Sequence, residues 1–251
     1  MVAKRIIPCL DVKEGRTVKG VNFVGLRDVG DAVKLGQEYA IQGADELVYL
    51  DISATVEGRN TFTSLVERIS EKINIPFTVG GGISSIDDAA SLLDAGADKV
   101  SINSAAVRNP SLIDEIASKY GNQFVVLAID TKWVDDRWLI TTHGGRQLTN
   151  RELFAWAREV EERGAGEILL TSMDHDGTRN GYPCDLFAEL SQRLSIPIIA
   201  SGGAGSVDDI AQVLTNGCAD AALAASIFHY GEITVGELKR QLHEKGIKVR
   251  L

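Results

Sequence analysis

Short apolar runs alternate with longer amphipathic stretches along the whole chain. Eight runs read as strands, at residues 5–10, 47–50, 77–79, 99–102, 124–129, 168–171, 198–200 and 221–224. Between them lie segments of helical period, among them 31–42, 85–95, 111–120, 151–163, 206–215 and 235–245. Ser84-Ser85-Ile-Asp-Asp and Ser206-Val-Asp-Asp carry the hydroxyl and acidic residues that satisfy the free amides of a helix start. Gly43, Gly96, Gly121, Gly164 and Gly217 stand where helices end. Strands alternating with helices predict parallel βαβ units.

The second half of the chain repeats the first. Ile75-Pro-Phe-Thr-Val-Gly-Gly-Gly-Ile83 is echoed by Ile196-Pro-Ile-Ile-Ala-Ser-Gly-Gly-Ala204, and Gly43-Ala-Asp-Glu-Leu47 by Gly164-Ala-Gly-Glu-Ile168, both at an offset of 121 residues. A period near half the length indicates two fused half-domains rather than a solenoid. Eight units with twofold similarity close naturally into a (β/α)8 TIM barrel, and residues 1–251 are expected to form one such domain. An open doubly wound sheet is the rival. It calls for a Gly-rich turn after the first strand, where this chain has Leu10-Asp11.

Two segments between elements are long, 12–30 after the first strand and 131–150 after the fifth. Long connections in this fold are commonly functional, and these follow equivalent strands of the two halves. Arg137-Trp-Leu-Ile-Thr-Thr within the second alternates like a small hairpin.

Composition narrows the function classes. The 251 residues are 44% hydrophobic and 24% charged, ordinary for a globule with a large core. No apolar run approaches the ~18 residues that span a membrane, and the first residues are too short in apolar length for a secretory signal. The net charge of −9 argues against nucleic acid as a partner, though not against a small anion held at a local site. Cys9, Cys184 and Cys218 lie far apart and are odd in number, which suits reduced thiols in a cytoplasmic protein. The four histidines form no metal-ligand spacing, and neither metal nor cofactor is expected.

The candidate chemistry lies at strand ends. Asp11 closes the first strand and Asp130 the fifth, in the matching runs Ile6-Ile-Pro-Cys-Leu-Asp11 and Val125-Val-Leu-Ala-Ile-Asp130. In a barrel of eight these strands face each other, and the two carboxylates would meet across the mouth where this fold keeps its active sites. Such a pair suits acid–base work, one member taking a proton and the other giving it. The bland alternative is that each caps its loop. Residues i and i+2 share a strand face, so Arg5 follows Asp11 inward at the opposite end. Glu46, Lys99 and Glu167 do the same, and the four charges would converge on the axis as a plug or a stabilising ionic layer. Gly81-Gly82 and Gly202-Gly203, with Asn103, Ser104, Ala225 and Ser226 beside them, offer exposed amides and hydroxyls for phosphate, once in each half. Two such seats suggest a ligand with two phosphates. Thr171 and Ser201 end their strands in the same region. Asp176 and Gly177 form either a ligand contact or a plain turn. Lys19 reads as a mobile loop cation able to close over an anion.

Taken together, Lys4-Arg-Ile-Ile-Pro-Cys-Leu-Asp-Val12, Val79-Gly-Gly-Gly-Ile83, Asp98-Lys-Val-Ser-Ile-Asn-Ser-Ala-Ala106, Arg163-Gly-Ala-Gly-Glu-Ile-Leu-Leu-Thr-Ser172 and Ala200-Ser-Gly-Gly-Ala-Gly205 strongly resemble the cyclase-subunit family of imidazole glycerol phosphate synthase. The resemblance runs from the first strand to the C-terminus. It implies a (β/α)8 lyase of histidine biosynthesis that takes ammonia from a glutaminase subunit in a heterodimer. The ammonia converts a bis-phosphorylated ribulosyl aminoimidazole carboxamide nucleotide to imidazole glycerol phosphate and an aminoimidazole carboxamide ribotide. On this resemblance Asp11 and Asp130 are catalytic. Lys19 lies in the loop that closes over substrate, Gly82, Asn103 and Ser104 match one phosphate site, and Gly177, Gly203, Ala225 and Ser226 match the other; Thr171, Asp176 and Ser201, read from their places at strand ends and in the turn after the sixth strand, are expected to bind substrate too. Arg5, Glu46, Lys99 and Glu167 gate an ammonia channel, and Asp98 and Trp156 meet the glutaminase. His175, where the family usually has a basic or polar residue, and Pro183-Cys184, in place of an acidic helix start, depart from the pattern. Two alternatives remain: the sister aminoaldose–aminoketose isomerase of the same pathway, and a non-catalytic barrel that only activates a glutaminase.

Overall fold

The computed structural model describes residues 2–21, 24–52 and 63–251. Eight strands pair in parallel around a closed ring. They are β1 (Arg5–Lys13), β4 (Leu47–Asp51), β5 (Phe77–Gly80), β6 (Lys99–Ile102), β7 (Val125–Val134), β10 (Glu167–Ser172), β11 (Ile198–Ser201) and β12 (Ala221–Ala224). The ring closes through Arg5 opposite Ala221, and β7 meets β10 with Asp130 opposite Thr171. Helices lie between successive strands, as expected for a (β/α)8 barrel.

Alternation along each strand divides the core in two. Ile7, Cys9, Val48, Val126, Leu169, Ile199, Ala221 and Leu223 fill the barrel interior. Their neighbours, such as Ile6, Leu10, Leu47, Tyr49, Leu127 and Leu170, point outward and pack beneath the helices. Both faces are buried, so these strands read as continuous apolar runs rather than as alternating ones. Each fully buried Ile or Leu contributes roughly 1.5–3 kcal/mol.

Helix starts follow the local chemistry. Ser85 caps Ile86–Asp94 by accepting from the Asp88 amide, while the Asp88 carboxylate returns a bond to the Ser85 amide. Ser206 likewise accepts from the Asp209 amide at the start of Val207–Thr215, but here the Asp209 carboxylate accepts from the Gly205 amide instead. A second device ties the strand starts together at the bottom of the barrel. Asp45 accepts from the Ile6 amide, Asp98 from Phe77 and Asp220 from Ile198, at 2.8–3.0 Å. Each carboxylate thus satisfies an amide one strand away.

Both segments expected as loops are largely strand. After β1 the chain turns through Glu14 and Gly15 into β2 (Arg16–Val21), which pairs antiparallel with Asp11–Lys13 and then with β3 (Val24–Asp31). After β7 it turns through Asp135 and Asp136 into β8 (Arg137–Thr142) and β9 (Gln147–Glu152). Both residues of each turn have positive φ: 52° and 75° in the first, 48° and 58° in the second. Two-residue hairpin turns of this sign match the natural strand twist. Asp and Gly at these turns were the available signal. Residues 137–142, expected to make a small hairpin by themselves, form one strand that pairs on both edges, with β7 and with β9.

Candidate active site

In the ring, β1 and β7 are four strands apart in either direction, so Asp11 and Asp130 face each other across the mouth. Both line a cavity of about 390 Å³ at the C-terminal ends of the strands. All thirteen residues expected to be catalytic or to bind substrate line this same cavity: Asp11, Lys19, Gly82, Asn103, Ser104, Asp130, Thr171, Asp176, Gly177, Ser201, Gly203, Ala225 and Ser226.

The two carboxylates occupy different surroundings. Asp11 is buried, and its Oδ2 lies 3.2 Å from the Lys19 ammonium. Lys19 belongs to β2 and not to a loop, because the short β1–β2 turn folds the chain back beside Asp11. Its side chain is only 13% exposed. Burial opposes its charge, but attraction from Asp11 and Asp176 prevails and holds its pKa above the ordinary lysine value.

Among the described residues no cation lies against Asp130. Its Oδ2 accepts from Asn103 Nδ2 at 3.0 Å. It keeps some surface open to the cavity, yet burial pushes its pKa up to about 7. The Asn103 hydrogen bond works against that rise, and repulsion from Asp176 adds to it. The Asp176 pKa is itself raised by burial, with Lys19 opposing and Asp11 reinforcing the shift. Of the two opposed carboxylates, one is therefore paired with a cation and the other is poised near neutral pH to carry a proton.

The glycine turns flank this centre with matched geometry. Gly81 has φ 103° and Gly202 φ 87°. A Cβ on Gly81 would stand 2.3 Å from the Asp51 carbonyl, and one on Gly202 2.6 Å from that of Ser172. Positive φ and close approach to the preceding strand both demand glycine here. Beyond each turn lie a short helix and its hydroxyl, Ser104–Arg108 on one side and Ser226–His229 on the other. Gly82 and Gly203, the next residue of each turn, line the cavity.

At the opposite end of the barrel the four expected charges close a ring. Arg5 Nη1 is 2.7 Å from Glu46, and Nη2 bonds Glu167. Lys99 Nζ is 2.9 Å from Glu46 and 3.0 Å from Glu167. Each carboxylate bridges both cations. Asp98 caps the Phe77 amide nearby. Trp156 is 2% exposed, with the Arg151 guanidinium 4.6 Å from its ring centre, so Arg151 covers it.

Several cavity residues were not expected at the site, Asp51 among them because it reads as structural after the second strand. Asp51, Arg108, His143, Arg146 and Arg179 also line the cavity. Arg108 could have been found, since it stands one helical turn after Ser104. The placing of Arg146 depends on the hairpin. Among the described residues no group of three or more His, Cys, Asp or Glu is arranged to hold a metal ion, and no helix is long and apolar enough to cross a membrane. The thiols of Cys9, Cys184 and Cys218 are free.

Comparison with known proteins gives one consistent result. A family described as "Histidine biosynthesis protein" matches residues 5–234. The chain is 59% identical over 251 residues to the imidazole glycerol phosphate synthase subunit HisF of Flavobacterium johnsoniae, covering all of both chains. The HisF subunit of Phocaeicola vulgatus is also 59% identical and that of Parabacteroides distasonis 58%, again over the full length of both chains.

Proposed function

The chain belongs to the histidine biosynthesis protein family, among the HisF subunits of imidazole glycerol phosphate synthase, and from that premise we propose how its barrel performs the cyclase reaction. The substrate is the bis-phosphorylated ribulosyl aminoimidazole carboxamide nucleotide. One phosphate rests at Gly82, Asn103 and Ser104, the other at Gly177, Gly203, Ala225 and Ser226. With both ends fixed, the reacting centre lies between Asp11 and Asp130, and binding energy is converted into orientation.

Asp130 acts as the proton donor and Asp11 as the acceptor. What supports this division is the contrast between their surroundings: burial raises the pKa of Asp130 to about 7, while Lys19 sits 3.2 Å from Asp11. Asn103 orients Asp130. Lys19 holds Asp11 until substrate enters and then faces the developing negative charge. Thr171, Ser201 and Asp176 contact the ligand's middle. Ammonia attacks the carbonyl carbon of the ribulosyl chain. Loss of water, cleavage of the bond to the carboxamide portion and closure of the imidazole ring then yield imidazole glycerol phosphate and the aminoimidazole carboxamide ribotide.

Ammonia reaches the centre along the barrel axis, through the ring of Arg5, Glu46, Lys99 and Glu167. Its source is a glutaminase subunit docked as a heterodimer on the bottom face, near Asp98; Trp156, the other expected contact, is buried beneath Arg151 in the first turn of a helix that starts on the mouth side, away from that face. The protein works in the cytoplasm.

The observation that carries this reading is the pair of opposed carboxylates in one cavity flanked by two matched glycine seats. The test is a discontinuous assay of the purified chain with the bis-phosphate nucleotide and an ammonium salt. Imidazole glycerol phosphate and the ribotide should appear in equal amounts. Isomerisation of the aminoaldose precursor without ring formation would assign the sister activity instead. Stimulation of a glutaminase without ring formation would reduce the barrel to an activator.

A further inference from the structure

We propose that Arg108 and Arg146 form a cationic rim on the first phosphate seat, at Gly82, Asn103 and Ser104, so that this seat is the tighter of the two and captures the ligand first. The inference rests on the two-phosphate reading and adds to it two anion-binding residues and an order of engagement.

Two separate elements bring these arginines to one seat. Ser104 and Arg108 bound a five-residue helix, and positions i and i+4 share a helix face. Arg108 therefore stands on the side of the Ser104 hydroxyl, and both line the cavity. Arg146 arrives from the β8–β9 turn. That turn is anchored to the seat, because the His143 amide donates to Ser104 Oγ at 3.0 Å. It is also braced from behind, since a Cβ on Gly145 would fall 2.3 Å from Met173 Cε. Three residues after the anchor, Arg146 reaches the cavity wall.

The second seat is equipped differently. Ser226 matches Ser104 at an offset of 122 residues, and the same offset from Arg108 leads to Tyr230. The arginine near that seat, Arg179, is ion-paired with Glu232. Among the described residues, neither Arg108 nor Arg146 has a carboxylate within 4.0 Å. Both are exposed at the rim. A guanidinium without a carboxylate partner keeps its fork of donors free for a phosphate, which it matches bidentately. The setting gives that charge a purpose. The chain carries −9 overall, and Asp11, Asp51, Asp130 and Asp176 line the cavity itself. A polyanion approaching this field needs a local positive entry point, and the described residues provide it on one side only.

Titration of the full chain with inorganic phosphate, followed at the backbone amides of Gly82 and Ser104 and separately at those of Gly203 and Ser226, tests this directly. The first seat should saturate at the lower concentration. Arg108→Ala and Arg146→Ala should each weaken it about tenfold and leave the second seat unmoved, and Arg108→Lys should restore part of the loss. With the bis-phosphate substrate the same variants should raise KM by similar factors. The salt dependence of KM should flatten in the double variant, a change that mere local disruption would not produce. Arg158→Ala, on an outer helix, controls for removal of a surface charge. Equal affinities at the two seats of the unaltered protein would overturn the proposal. So would a change below twofold at the first seat in the double variant. Failure of the second seat to take phosphate at all would instead count against the two-phosphate reading, leaving the first-seat result standing by itself.

Discussion

Asn103 Nδ2 donates to Asp130 Oδ2 at 3.0 Å, and the oxygen of the same amide is buried with no partner among the described residues. One end of the amide holds the carboxyl, and the other presents an acceptor with nothing yet to accept. A bound ligand with an N–H or O–H at that point would complete the set, so orienting Asp130 and engaging substrate are two ends of one planar group. A buried acceptor left unsatisfied costs about 1–3 kcal/mol, which a ligand donor would recover on binding.

The relationship sets the pH dependence. Asp130 at about 7 is protonated below that value and loses its proton above it. As proton donor it makes ammonia-dependent kcat/KM fall as the pH rises through about 7. The Asn103 bond stabilises the charged form, so Asn103→Ala raises the Asp130 pKa further and moves the falling limb to higher pH. A profile that does not shift in this variant would remove Asp130 from the donor role.

Asp130→Asn should trade activity for stability. In the fold Asp130 keeps a proton up to about 7 that the unfolded chain releases near 3.8. The native state therefore binds more protons across that window, and wild-type stability falls as the pH rises through it, by at most about 4 kcal/mol. The amide variant has no such proton to lose. Urea midpoints should show it more stable than wild type at pH above about 7 and converging with it toward pH 4. Turnover with ammonia should drop by at least about two orders of magnitude, as in Asp11→Asn.

Breaking the bottom ring should be costly. Removal of Arg5 leaves Glu46 and Glu167, with side chains 10% and 6% exposed, sharing Lys99 alone. Arg5→Ala should lower stability by about 3–5 kcal/mol in urea denaturation, and adding Glu167→Gln should return part of it. Turnover driven by added ammonium salt should suffer less than turnover driven by glutamine in the presence of a glutaminase subunit. Equal losses in the two assays would argue against passage through the ring.

Gly202→Ala should damage the second seat selectively. The substitution forces a side chain onto φ 87° and toward the Ser172 carbonyl, which would lie 2.6 Å from the new Cβ. The expected result is a KM for the bis-phosphate substrate raised about tenfold or more, with a loss of stability of ~1–3 kcal/mol. Gly43→Ala, at a turn with open space around it, should leave KM unchanged.

Much of this could be read from residue order alone. The offset of 121 residues identifies the half-barrels, and alternation along β1 places Arg5, Ile7, Cys9 and Asp11 on one face. Both are local periodicities, which the backbone geometry of a strand or helix imposes on neighbouring residues. Lys19 was less legible. It looks like a loop residue because the strand pairing that claims it depends on a two-residue turn at Glu14-Gly15. Trp156 was opaque as well, since its cover by Arg151 depends on how the segment before its helix is threaded.

The repeat, the strand faces and the positions of the chemical groups thus belong to the sequence, because each depends on spacings of a few residues or on direct self-similarity. Closure of the ring decided everything that depends on distant neighbours: the opposition of Asp11 and Asp130, the four-membered ion ring and the approach of Arg146 to Ser104. It also separated the characters of two carboxylates that look alike in the chain. A pKa reflects the whole dielectric and charged surroundings of a group, and those surroundings exist only once segments more than a hundred residues apart have packed together.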